Sequence, residues 1–365
     1  MRYAAAKRAI IWGFGKLGRE IARAIAARPA DRLEIVAIVD TSKLLCGRAA
    51  AELVPGLGAD LRIVASLAEA PPADIIFHGT ETTVAIVEPQ LLEALALGCD
   101  VITAAEWMFH PWLLHADVAG RIDEAARRVG RRIMGCGINP GFAFDTLPLV
   151  FGRTLAGITS IEMLRISNVS GSGTDGFKHV GLALSEAEFR SRLADGSVKG
   201  HIGFPESIAA IAERLGMGID RIVERWDPIL AVRVLELPQA TINVGDVVAI
   251  RQEALAMRAG ATCLSMVLEM HLDPEGYGRQ PREEVVIDAG SRTVLTITPA
   301  PRSTLGAAAM MAGAALDIDL CPAGIVNFLD LPLGGIPRLE KRFIARDRTW
   351  QGQSVEIALG GSDWS

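Results

Sequence analysis

Closely spaced cysteine pairs are missing from this 365-residue chain: Cys46, Cys99, Cys136, Cys263 and Cys321 are scattered and odd in number. That pattern excludes a disulfide framework and a zinc ribbon, and leads us to expect reduced thiols in a reducing compartment. No His/Cys/Asp cluster has metal-ligand spacing either, so no metal is expected. Long apolar runs are absent too; none approaches the roughly 20 residues a bilayer span needs. The opening "MRYAAAKRAIIWGFG" has basic residues but no sustained apolar core, which argues against a secretory signal. Positive charge is in short supply, with 37 Lys and Arg against 43 Asp and Glu, a net charge of -6. Nucleic acid requires a basic footprint, so it is not the expected partner. A cytoplasmic protein with a small-molecule ligand is expected.

Half of the chain is apolar, and its length suits two domains. The first 148 residues alternate short Val/Ile/Leu runs with helical patterns. Strands are expected at 8–12, 33–40, 61–66, 73–79, 99–103 and 131–137, with helices at 16–27, 87–98 and 111–130. Such alternation predicts an α/β Rossmann domain, a doubly wound parallel sheet covered on both faces. Residues 149–300 change character. Longer, partly alternating strands at 158–167, 221–230, 246–258, 261–272 and 283–289 are interrupted by two clear helices. One begins at Ser185, with Glu188 completing a capping box, and the other follows Pro205. This predicts an α+β substrate domain on a mostly antiparallel sheet. Residues 301–365 begin with an alanine-rich helix, 305–316, expected to return onto the first domain.

The most local functional signal is "GFGKLG", Gly13, Phe14, Gly15, Lys16, Leu17 and Gly18, between the first strand and the first helix. Gly13 permits the tight turn, Gly15 lets a pyrophosphate approach the backbone, and Gly18 lets helix and strand pack closely. The helix N-terminus offers free N–H groups to phosphate. Asp40, at the end of the second strand, stands where an acid binds the ribose hydroxyls. That charge favours NAD over NADP, although Lys43 and Arg48 lie close enough in sequence to receive a 2′-phosphate. In "FHGTETT" (77–83), Gly79 and Thr80 are either contacts to the nicotinamide ribose or parts of an ordinary turn with Thr82 or Thr83 as helix cap.

"VITAAEWMFHPW" (101–112) places a lone carboxylate, Glu106, in an apolar run just after the fifth strand. A buried charge is costly unless it is paired, protonated or wet. At the carboxyl end of that strand, Glu106 would point into the nicotinamide crevice, with Trp107, Phe109, Pro111 and Trp112 excluding water. Burial there raises a carboxyl pKa towards neutrality, which suits proton transfer to and from an amine or imine. The plainer reading is a cap for a helix starting near Pro111, or a partner for an arginine at the domain seam.

"GFGKLGREIARAI", "ITAAEWMFHPW", "GCGINPGFAFDTLPL" (135–149) and "GHIGFPES" (200–207) together resemble the dihydrodipicolinate-reductase-like group that contains 2,4-diaminopentanoate dehydrogenase and the native amine dehydrogenases. The resemblance covers most of the chain and extends to the segment before "DLP" (330–332). It implies an NAD(P)-dependent enzyme that oxidises an amine to a ketone plus ammonia, or runs the reductive amination, as a homodimer. It also implies that Glu106 is the catalytic acid. The paired-histidine and K-x-D-x-P-S-G-T signatures of true dihydrodipicolinate reductases are absent, as is the E-K-P motif of sugar-type dehydrogenases, whose place reads "AAEW".

Other candidates follow. Asn139 either binds the nicotinamide amide or sits in a helix-capping turn with Asp145. Trp107, Phe142 and Phe144 are candidate pocket walls. Arg165 either binds a substrate carboxylate or forms a surface or interface salt bridge, and Asn168 lies nearby on the same strand. His201, within "GHIGFPES", is a candidate substrate contact. Lys178 and His179 follow "SGSGTDG" (170–176), a candidate lid. Two rival readings use the same scaffold: a ketone or aldehyde reductase, and a catalytically silent NAD-binding regulator.

Overall fold

The computed structural model describes residues 6–28, 32–331, 345–351 and 354–359. The first domain builds β1 (Lys7–Trp12), α1 (Lys16–Ala26), β2 (Leu33–Val39), β3 (Ile63–Val64), β4 (Ile75–His78), α2 (Val84–Ala96), β5 (Asp100–Thr103), α3 (Ala116–Arg128) and β6 (Arg132–Gly135). Every residue of β4 and β5 is buried, as in strands covered on both faces. Helix α1 turns Gly18, Ile21, Ala22 and Ile25 inward, one apolar stripe at helical spacing.

The second domain runs through α4 (Thr146–Gly152), β7 (Ser160–Asn168), α5 (Thr174–Val180), α6 (Glu186–Ala194), α7 (Phe204–Leu215), β8 (Arg221–Leu230), β9 (Leu235–Leu237), β10 (Ala240–Ile242), β11 (Val247–Arg258), β12 (Ala261–His271), β13 (Arg282–Asp288) and β14 (Arg292–Ile297). Its six-stranded sheet has the order β14-β13-β7-β12-β11-β8, antiparallel except for the β7–β12 pair. Phe144, Phe189, Phe204, Ile208 and Ile211 fill its core.

The chain then returns to the first domain. Helix α8 (Ser303–Asp317) buries Ala308, Met311, Ala312 and Ala315 in the same core as Ile21 and Ile25 of α1. Small side chains let the two helices approach closely. Strand β15 (Gly324–Val326) pairs in parallel with β6 and completes a seven-stranded parallel sheet, order β15-β6-β5-β4-β1-β2-β3. The molecule is therefore a Rossmann-type parallel sheet with a second, mixed-sheet domain. Residues 332–344, including Pro332 of "DLP" and part of the expected C-terminal segment, lie outside the described residues. Strands β16 (Ala345–Gln351) and β17 (Ser354–Leu359) pair antiparallel.

Several sequence expectations need correction. The strand expected at 61–66 is only two residues long. The helix expected from 111 begins at Ala116, after a turn. Helices α4 and α5, seven residues each, are too short to carry a helical period; α4 was anticipated only as a capping turn at Asp145, and α5 was not foreseen. "SGSGTDG" is not a simple glycine loop, because Gly173 is the N-cap of α5. Edge strand β14 and the β9–β10 hairpin were also missed.

Candidate functional site

The nucleotide loop is built around three glycines with three different tasks. A Cβ on Gly13, whose φ is +97°, would lie 2.5 Å from the Gly79 carbonyl oxygen; one on Gly18 would lie 2.0 Å from that of Gly13. These two positions are closed by backbone. Gly15 is the N-cap of α1, and a Cβ there would meet nothing within 4 Å. That open space in front of a helix N-terminus is the cradle a pyrophosphate needs. Phe14 is fully buried, and its N–H donates to Asp40 Oδ2 at 2.7 Å, while the Ser42 N–H donates to Oδ1 at 2.8 Å. Phe14 thus holds Asp40 in place rather than offering its own amide to a ligand. Each Asp40 oxygen keeps a lone pair for a ribose hydroxyl.

The neighbouring candidates divide. Lys16 reaches across the cleft to donate to the Gly171 carbonyl at 2.8 Å, and Leu17 lines the cavity beside Glu106. The Gly79 backbone packs against Gly13, and its N–H donates to Trp12 O. Thr80 turns inward. Its hydroxyl donates to Gln90 Oε1 at 2.6 Å and lies 2.9 Å from His78 Nε2, inside a buried group that includes Thr103.

Glu106 opens a single 3-10 turn, Glu106–Phe109, at the carboxyl end of β5. The turn lies tight on β6 because Gly135 has no side chain; a Cβ there would come within 2.3 Å of the Met108 carbonyl carbon. The partner of Glu106 is neither a helix cap nor an arginine. Thr82 donates its hydroxyl to Oε2 at 2.6 Å. Trp107 is buried in the Rossmann core, against His115, and its indole N–H donates to the Thr82 carbonyl at 3.0 Å. Trp107 therefore steadies the loop that orients Glu106, rather than walling the pocket. Burial pushes the Glu106 carboxyl above its usual range, against the Thr82 hydrogen bond and the charge of His179. Phe109 is buried and lines the cavity, but Trp112 is 44% exposed and screens nothing.

A cavity of about 220 Å³ lies between Leu17, Glu106, Phe109, Asn139, Pro140 and the start of α8 at Ser303 and Thr304. Ser303 and Thr304 also border a cleft of about 560 Å³ that contains Lys16 and Asn168. Both amide atoms of Asn139 are buried without a partner. Asp145, not Asn139, caps α4; it accepts from the Thr146 and Gly141 N–H groups and the Ser207 hydroxyl. The open Gly15 cradle, Asp40 and the unpaired Asn139 amide together fit a dinucleotide with its amide end beside Glu106.

The second domain closes the site with the N-terminus of α7. Gly203, with φ at +108°, makes this possible: a Cβ would lie 2.5 Å from Pro140 Cγ and 3.3 Å from Glu106 Cβ. The His201 backbone exchanges two hydrogen bonds with the Gln252 side chain, and its ring stacks edge-on against Phe204. Its Nε2 is buried without a partner. Burial, then the charges of Arg165 and His179, push this ring down to about 3, so it is neutral at pH 7.

Arg165 forms the salt bridge, buried within the sheet rather than at the surface. It is 1% exposed and forms an ion pair with Glu283 on the neighbouring strand. It also donates to Ser167 Oγ, Pro301 O and Ser303 Oγ at 2.9, 2.7 and 3.1 Å. Burial lowers it to about 10. This arginine ties the returning segment to the sheet. Asn168 accepts from the Ser170 N–H and hydroxyl, stabilising a turn at the cleft edge. Phe144 packs on Phe204 in the core, and Phe142 is half-buried with its carbonyl accepting from Leu147 N. Glu206 was not picked out from the sequence, and Thr82 was read only as a candidate helix cap. Both stand in quoted motifs, yet only the fold brings them to Glu106. Among the described residues no group of three His, Cys, Asp or Glu side chains could hold a metal, and no helix is long and apolar enough to cross a membrane.

Fold and site thus define a two-domain Rossmann protein with an acid at the end of the fifth strand. Residues 142–340, more than half the chain, match the family model of the 2,4-diaminopentanoate dehydrogenase C-terminal domain, and the chain belongs to that family. It is 24% identical over 330 residues to 2,4-diaminopentanoate dehydrogenase of Acetoanaerobium sticklandii, covering 89% of this chain and 93% of that one. Its fold is similar to the structure of an amine dehydrogenase from Mycobacterium smegmatis, with a TM-score of 0.78, 17% identity, and 90% and 97% of the two chains covered. A putative dehydrogenase from Bordetella bronchiseptica is a more distant fold neighbour, with a TM-score of 0.51 at 16% identity over 87% and 92% of the chains.

Proposed function

We propose that this chain is an NAD(P)-dependent amine dehydrogenase that interconverts an amine with a ketone and ammonia, Glu106 acting as acid and base. The observation that carries the reading is the pairing, in one cavity, of a partly buried carboxyl fixed by Thr82 with the unpartnered amide of Asn139. The relation to known proteins supports the same reaction, since the names of the relative and of the fold neighbour specify a diamino acid and an amine as substrates.

A bound nicotinamide supplies the hydride acceptor or donor. The chain supplies the proton chemistry. In the oxidative direction the Glu106 carboxylate takes a proton from the substrate ammonium, freeing the nitrogen lone pair. As the carbon loses hydride, the iminium nitrogen becomes positive beside that acid. Glu106 passes its proton to solvent and, as the carboxylate, stabilises the iminium. It then draws a proton from the attacking water and returns it to the nitrogen, which leaves as ammonia while the carbinol O–H gives up its proton to form the ketone. Burial raises the Glu106 carboxyl above the usual carboxylate range, which eases the return of a proton from it in either direction.

Asp40 favours NAD, with NADP admitted through Lys43 and Arg48. The commitment of Arg165 to Glu283 favours an amine or ketone without a carboxylate at that point. Residues 1–148 serve as the dinucleotide domain, 149–300 as the substrate and dimerisation domain, and 301–365 as the returning segment of a cytoplasmic homodimer. The test is NADH or NADPH oxidation with short ketones and keto acids, with and without ammonium. Ammonium-dependent turnover is expected, falling about 10²–10⁴-fold in Glu106→Gln with cofactor binding kept. Turnover that ignores ammonium would make this a carbonyl reductase, and cofactor binding without any turnover would favour the silent regulator.

A further inference from the structure

The reaction above uses one carboxyl, but a second, carried by the other domain, is buried within its electrostatic reach without a task. Glu206 lies in the first turn of α7, is 2% exposed, and has an Oε2 without any hydrogen-bond partner. A buried acceptor left unpaired destabilises a fold, so packing alone does not account for an acid here. Its place is fixed from two sides. The missing side chain at Gly203 brings the start of α7 against Glu106 and Pro140. Ser207, the next residue, donates to Asp145 Oδ2 at 3.0 Å, locking the turn to the loop that carries Asn139.

The charges around the two acids are mostly negative. Glu224 of β8 acts on Glu206, and its Oε1 accepts from Gln252 Nε2 at 3.3 Å. Glu81 acts on Glu106 from the Rossmann side. Against them stand His179, at the end of α5, which acts on Glu106, and Lys199, which acts on Glu81. The His201 ring is neutral, and Arg165 is occupied by Glu283. Two carboxyls so placed cannot both ionise cheaply. Glu206 is pushed up to about 7 by burial, then by Glu224 and Glu106.

We propose that Glu206 is the second carboxyl of the amine site: with Glu106 it retains one proton while the site is empty, and the pair releases that proton to water when a small ammonium cation enters. The cation is ammonium itself or a protonated primary aliphatic amine. Its identity rests on the amine-dehydrogenase reading; the coupling of the two carboxyls does not. The cation then draws on an acid from each domain, Glu106 after β5 and Glu206 on α7.

Infrared difference spectra of protein with 13C-labelled glutamate, with NAD added, report the proton directly. A protonated-glutamate band should persist at neutral pH and vanish with ammonium chloride but not sodium chloride. In Glu206→Gln that band should be lost and Glu106 should titrate at lower pH, whereas Glu224→Gln should keep the ammonium response. In turnover, Glu206→Gln should raise KM for ammonium about tenfold, the loss of one good ionic contact, with kcat changed less. Glu206→Asp should recover part of that loss, and thermal melting checks that both variants fold. A band and an ammonium KM unchanged in Glu206→Gln would overturn the proposal. A wild type whose band responds as expected but whose turnover never requires ammonium would leave the pair standing and overturn the amine-dehydrogenase reading instead.

Discussion

The two ends of the cleft treat polar atoms in opposite ways. At the nucleotide end, function comes from what is left out: Gly13 and Gly18 are closed by backbone, Gly15 stands open, and Asp40 is held by two N–H groups. The polar groups behind it, His78, Thr80, Thr103 and Gln90, bond to one another. At the amine end, Asn139, His201 and Glu206 keep buried atoms with no partner in the protein. The first end is complete before any ligand arrives. The second leaves buried polar atoms unpaired in the protein. A site of that kind costs stability in the empty protein, a cost that ligand binding then offsets.

The comparison can be broken first at Arg165, which the sequence offered to the amine end but the structure gives to the scaffold. Arg165→Ala should cost about 3–5 kcal/mol in urea unfolding, because it strands Glu283 in the sheet. Arg165→Met combined with Glu283→Leu should recover most of it. An unchanged unfolding midpoint with a raised substrate KM would return Arg165 to the amine end.

The next largest effect sharpens the contrast through pH. Glu206 has a folded pKa of about 7 against 4.5 in the unfolded chain, so its contribution to stability is full below the lower value and falls as pH rises through the upper one. Glu206→Gln lacks that penalty, and near pH 8 it should be more stable than the parent by about 2–3 kcal/mol. Near pH 4 the gain should disappear. Equal stabilisation at both values would assign the effect to packing.

The smallest effect belongs to the nucleotide end. Gly15→Ala has room and should melt like the parent, but should bind dinucleotide about tenfold more weakly, about 1.4 kcal/mol. Gly18→Ala, whose Cβ would lie 2.0 Å from the Gly13 carbonyl oxygen, should instead lose about 1–3 kcal/mol of stability. If both lose stability alike, the cradle at Gly15 is not open.

Legibility in sequence follows the same division. The Rossmann half reads well because its signals are local: a glycine spacing, an acid at a strand end, strands made of Val and Ile. Glu106 was visible because a charge in an apolar run stands out. Its partner was not. Thr82 looked like a helix cap, and only the β4–β5 register brings its loop beside the Glu106 turn. Trp107 and Phe144 read as pocket walls because aromatics near an acid suggest one, but the core claimed both. Arg165 met Glu283 across 118 positions of sequence, a pairing set by strand register that no local pattern encodes. Glu206 hid in "GHIGFPES" as an ordinary first-turn acid, since glutamate there also suits the helix dipole.

The return of the chain through α8 and β15 bears on how the molecule is made. A ribosome delivers six strands of the nucleotide sheet first, then the whole second domain, and only then the helix that covers α1 and the strand that borders β6. The second domain is contiguous and can fold as a unit while it emerges. The first must wait with one flank of α1 uncovered. Late synthesis of Ser303 and Thr304, which line the cavity, also means that the pocket is assembled after both acids are already in place.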